Sequence, residues 1–94
     1  MNIQLRFDFH SCTVFVPDGI VTDAYRLQQD FLEWAFEQPN CITSDHNGDL
    51  ALRYDENDFI TFVNDVLLKD CNERAYKYSD SRSEKMKIQK VIRF

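Results

Sequence analysis

Glycine and proline are scarce in this 94-residue chain, with two of each. That scarcity argues against long irregular loops and leaves Pro17, Gly19, Pro39 and Gly48 as the main punctuation. No apolar run is long enough to span a bilayer. The N-terminal MNIQLRFDF alternates as a strand does and does not read as a signal peptide, so a cytoplasmic protein is expected. Cys12, Cys41 and Cys71 have neither metal nor redox spacing, and their odd number predicts buried, reduced thiols. Histidine is limited to His10 and His46, both near turns, with no nucleophile motif beside them. There is no glycine-rich phosphate loop and no strand-borne aromatic motif of the RNA-recognition type. The expectation is therefore a protein that is not an enzyme and has no cofactor.

Basic residues are also scarce, but only over part of the chain. Residues 1–70 carry 13 acids against 4 bases, a balance of −9, while residues 71–94 carry 3 acids against 7 bases, a balance of +4. The first figure speaks against a nucleic-acid-binding face over most of the chain. The second leaves a small basic strand.

Apolar residues are plentiful. At 44% hydrophobic and 14% aromatic, the chain can build one modest core, so a single domain over 1–94 is expected. Its most informative stretch is 45–69. Asn47-Gly48 predicts a two-residue hairpin turn with positive φ at both positions. The strand after it turns Leu50, Leu52 and Tyr54 to one side, and residues 41–46 supply its partner strand. Asp55 then caps a helix of about four turns, with Asp58 three residues on. Phe59, Val63 and Val66 mark its core face, widened by Ile60, Phe62 and Leu67, and Leu68 points outward.

Upstream, residues 3–9 alternate, with Ile3, Leu5, Phe7 and Phe9 on one face. The alternation slips near His10-Ser11, and Cys12, Val14 and Val16 form a second strand or continue the first past a bulge. Thr22 or Asp23 caps a helix reaching about Gln38, which Pro39 stops. Its apolar arc runs through Ala24, Leu27, Phe31, Trp34 and Ala35, and extends to Tyr25, Leu32 and Phe36. An arc that wide either sinks deeply between sheet and second helix or carries an aromatic residue to a partner. Downstream, residues 74–78 form a short strand, 79–85 a polar loop and 86–94 a final strand. The fold class that follows is α+β: an antiparallel sheet of four to six strands with two helices on one face. The expected order is ferredoxin-like, β-α-β-β-α-β, with extra hairpin strands.

Two patterns resemble metal sites. Asp45, Asn47, Asp49 and Glu56 have EF-hand calcium-loop spacing, but Leu50 stands where that loop needs glycine and Pro39 ends the incoming helix too early. A hairpin turn accounts for the same residues. His10 with Cys12, and His46 with Cys41, lack the paired spacing that anchors zinc. No metal is expected.

Function is thus expected from surface rather than from a reaction centre. Acids crowd the span from Asp18 to Asp65, which suits a basic protein partner met at an electrostatically steered rate. The first reading is a non-enzymatic inhibitor that occupies the basic surface of a nucleic-acid-processing protein. Size and charge liken it to immunity proteins, antitoxins and phage anti-defence proteins. Its partner-binding residues are expected on the first helix: Asp30, Glu33 and Glu37 as charges, Trp34 or Phe36 as the apolar anchor. Glu33 and Glu37 also sit one turn apart like a catalytic acid pair, but Asp30 and Arg26 share their face and mark it as solvated. A second reading is a ferredoxin-like regulatory or ligand-binding module acting as a homodimer. A third is nucleic-acid binding through Arg74, Lys77, Arg82, Lys85, Lys87, Lys90 and Arg93. Against the third, the same bases can neutralise the acidic helices, and no direct contact with nucleic acid or membrane is expected.

Overall fold

The computed structural model describes residues 1–20, 23–44, 46–79 and 87–94. Strands β1 (Asn2–Arg6) and β2 (Ser11–Phe15) lead to helix α1 (Ala24–Phe36). A short hairpin follows, β3 (Ile42–Ser44) and β4 (Leu50–Leu52). Helix α2 (Glu56–Phe62) runs on into a π-helical segment, Val63–Leu67. The chain closes with β5 (Tyr76–Lys77) and β6 (Lys90–Arg93).

The class is α+β, with a four-stranded sheet in the order β5-β2-β1-β6 and a separate β3-β4 pair. The sheet is mixed rather than antiparallel, because β6 runs parallel to β1. A ferredoxin-like order is not confirmed: β3 and β4 pair with each other and not with the sheet. Register explains the core. Ile3 lies opposite Val14, and Leu5 lies between Cys12 and Ile92. All five side chains are buried on one face. Over them pack Leu27, Phe31 and Ala35 of α1 and Phe59 and Phe62 of α2.

Both helix starts follow from the sequence. The Asp23 carboxylate accepts from the Tyr25 N–H at 2.9 Å. Asp55 accepts from the N–H groups of Asn57 and Asp58, while Asp58 accepts from the Asp55 N–H at 3.0 Å, a reciprocal capping box.

Several expectations change. The alternation slips at His10 because a tight turn already lies there. The Phe7 N–H donates to the His10 carbonyl at 2.8 Å, closing a hairpin around Asp8 and Phe9. Phe9 is therefore not on the core face but at the turn's tip, 99% exposed. Asn47-Gly48 is not a two-residue turn either. Ser44 pairs with Leu50, so five residues span the loop, and only Gly48 has positive φ, at 82°. Cys71 lies past the second helix and is exposed, whereas Cys12 and Cys41 are buried thiols. Met86 and the polar stretch 80–85 lie outside the described residues.

The largest difference is in the second helix. The Leu68 N–H donates to the Val63 carbonyl at 2.8 Å, an i to i+5 bond. One extra residue in that turn rotates everything beyond it by about 100° relative to an α-helix. Val66, expected inside, is 47% exposed, and Leu68, expected outside, is 1% exposed.

Candidate functional site

The two helices do not close completely over the sheet. Between α1 and the π-helical segment lies a groove of about 310 Å³, lined by Asp30, Glu33, Trp34, Glu37, Phe62, Val66 and Leu67. Positions 30, 33, 34 and 37 share one helical face at spacings of three and four. The opposite wall exists because the π turn swings Val66 out to the surface. The floor is apolar. Trp34 is half-buried, 5.5 Å from the Phe62 ring and 6.0 Å from the Phe31 ring. A smaller hollow of about 170 Å³ shares Asp30 and Leu67 with the groove and reaches Asp23 and Arg26. Arg26 and Asp30 approach at 3.9 Å, but both are well exposed, so the pair contributes little and leaves the rim acidic.

Of the five residues singled out on α1, the structure brings Asp30, Glu33, Trp34 and Glu37 to this groove. Phe36 is not among its lining residues. Two residues beyond Trp34, it lies about 200° round the helix and is 64% exposed. Tyr25, at the start of the same helix, is 69% exposed. The wide apolar arc thus serves two ends: its middle is core, and its margins face solvent.

The C-terminal bases are partly engaged within the molecule. The Arg74 guanidinium donates to the Leu68 carbonyl at the end of the second helix and to the Cys71 and Glu73 carbonyls in the segment after it. Lys77 pairs with Glu56 at 3.1 Å, and the other oxygen of Glu56 meets His10 Nε2 at 3.0 Å. Glu56, read in the sequence as the last residue of a calcium loop, therefore ties α2 to the β1–β2 turn and to β5. Asn47 and Asp49 remain in the β3–β4 loop, and Asp45 lies outside the described residues. His10 is thus a partner of Glu56, while Cys12 is buried on the core face of β2. Among the described residues, no group of three or more His, Cys, Asp or Glu could hold a metal ion. No helix among them is long and apolar enough to cross a membrane.

Burial alone would raise the Glu56 carboxyl. Hydrogen bonds from His10, from its own backbone N–H and from Lys77 outweigh it and hold the group at about 2, below the ordinary 4.5. The folded value lies below the unfolded one, so this stabilisation is complete above the ordinary value and is lost as pH falls from about 4.5 to about 2. His10 and Lys77 are half-exposed, and screening limits the contribution to about 2 kcal/mol. Denaturant midpoints measured across that window should fall more steeply for the native chain than for Glu56→Gln. Parallel slopes would remove this node from the acid response.

Sequence reasoning missed a second cleft, lined by Phe7, Asp8, Leu52, Arg53, Tyr54 and Phe94 among others. Its one signal was the slip at His10, which marks a turn at the end of β1 and so places Phe7 and Asp8 at the sheet's end rather than within it. No protein-family model, no curated protein and no solved structure matches the chain.

Proposed function

We propose that the protein is a small acidic binding module that acts by contact rather than catalysis, with the α1 groove receiving basic side chains of a protein partner. The observation that carries this reading is the meeting of Asp30, Glu33 and Glu37 with a half-exposed indole over an apolar floor. Lysine and arginine have long apolar stems and charged heads. In this groove the stem lies on Trp34, Phe62 and Val66 while the head meets the carboxylates, and the Trp34 ring adds a cation–π contact. Val66 and Trp34 supply the desolvated centre and the acids the rim. A basic surface of that kind is how nucleic-acid-processing proteins hold their substrate. Covering it would inhibit them, in the manner of immunity, antitoxin or phage anti-defence proteins. Charge complementarity with the −9 balance of residues 1–70 supports the same partner.

Trp34 is the only tryptophan and so reports on the groove directly. Titration with a peptide of alternating arginine and leucine should change its fluorescence, and more strongly at low salt. The double variant Glu33→Lys, Glu37→Lys should slow association by about tenfold at low salt and flatten the salt dependence. Its folding free energy should change by no more than about 1 kcal/mol, because both charges are exposed. A folded double variant that associates as fast as the native chain would remove the groove from the site.

A further inference from the structure

The second cleft encloses about 450 Å³, within the range of roughly 300–1,000 Å³ typical of small-molecule sites. It opens at the carboxyl ends of the two parallel strands. Phe7 directly follows β1 and Phe94 directly follows β6, and their rings stack 5.2 Å apart at 12°. Tyr54 stands edge-on to Phe94 at 5.3 Å and tilted to Phe7 at 6.3 Å. The His10 ring also stacks on Phe7, at 4.7 Å and 14°, so the stacking surface of Phe7 is taken within the molecule and a further ring would meet ring edges and Tyr54.

The rim carries Asp8 from the β1–β2 turn and Arg53 just after β4, together with the His10 imidazole, which Glu56 already holds. Asp8 and Arg53 are exposed, and among the described residues neither side chain has an ion pair or hydrogen bond. Opposite charges that border one cleft without closing on each other leave a gap between them. A ligand bearing both charges spans that gap, whereas a ligand bearing one meets attraction at one end and repulsion at the other. Burial, with Asp8 adding to it, raises the Tyr54 hydroxyl, which keeps it a neutral donor inside the cleft.

We propose that this cleft binds a free aromatic α-amino acid, with its ring against Phe7, Tyr54 and Phe94, its carboxylate on Arg53 and its ammonium at Asp8. The site is separate from the α1 groove. Trp34 and Phe62 line the groove, Tyr54 and Phe94 line the cleft, and the buried Phe31 ring stands between the two pairs. The failure of either reading leaves the other standing.

The test is an NMR titration of the intact 94-residue chain with L-phenylalanine and L-tyrosine at millimolar concentration. Saturable shifts are expected at Phe7, Leu52, Tyr54 and Phe94, and none with L-alanine, which lacks the ring. N-acetyl-L-phenylalanine lacks the ammonium and L-phenylalaninamide lacks the carboxylate, so each should bind roughly tenfold or more weakly, the loss of one charged hydrogen bond. Asp8→Asn and Arg53→Gln should reproduce those two losses with an unchanged melting temperature, since both side chains are exposed and unpaired among the described residues. The absence of saturable shifts with either amino acid overturns the proposal. Binding of both blocked derivatives as tight as that of L-phenylalanine does so too, because the cleft would then be reading only the ring.

Discussion

Replacing Phe31 by alanine should cost roughly 3–5 kcal/mol, the range for deleting a fully buried ring. Phe31 is the hub of the aromatic core. Its ring lies 5.3 Å from Tyr54, 5.5 Å from Phe59, 5.6 Å from Phe94, 5.8 Å from Phe62 and 6.0 Å from Trp34. Most of these contacts are edge-to-face, an arrangement that adds to area burial. The neighbours belong to α1, α2, the residue after β6 and the segment after β4, so no single element can relax to fill the void. In a domain of this size the loss lowers the melting temperature by on the order of 20 °C. The total stability of such a domain is about 5–15 kcal/mol, so a weakly stable parent would populate unfolded chain at room temperature. Phe62→Ala should fall in the same range. Chemical denaturation measures both, and a midpoint shift near zero for Phe31→Ala would mean that the core side of α1 is misassigned.

The second large effect separates a π-helical turn from an α-helix. Leu68→Ala should cost roughly 2–5 kcal/mol and Val66→Ala no more than about 0.5 kcal/mol. A regular helix through the same residues predicts the reverse, because Val66 would then face the core with Phe59 and Phe62. Urea denaturation of the two variants decides between them. The pair also links fold to site. Val66→Ala leaves stability alone but removes apolar wall from the α1 groove, so it should weaken the basic-peptide response of Trp34 without a change in melting temperature.

The sequence by itself determined the local chemistry of this protein. Asp23 and Asp55 announce the helix starts because a short carboxylate can satisfy the open N–H groups of a first turn. Alternation assigns the inward positions of β1 and β2, since the side-chain period of a strand is two. The acids at 30, 33 and 37 fall beside Trp34 because an α-helix repeats every three to four residues. All of these depend on neighbours within a few positions, which a linear reading can see.

What only the tertiary structure decided depends on contacts between distant parts of the chain. Placing β6 parallel to β1 pairs residues nearly ninety positions apart, and nothing local to either strand states the direction of that pairing. The π turn is another case. Leu68 enters the core beside Phe59 and Phe62 although the α period points it outward, and burial of that side chain offsets the less favourable hydrogen-bond pattern. That single shift sends Val66 to the surface and makes the far wall of the groove. Phe9 moved for the same kind of reason: the tight Phe7–His10 turn ended the strand before its alternation ran out. The aromatic cleft joins Phe7, Tyr54 and Phe94 from three separate parts of the chain. Each looks like ordinary core in sequence, and only the meeting of the segments that follow β1, β4 and β6 leaves a space between them.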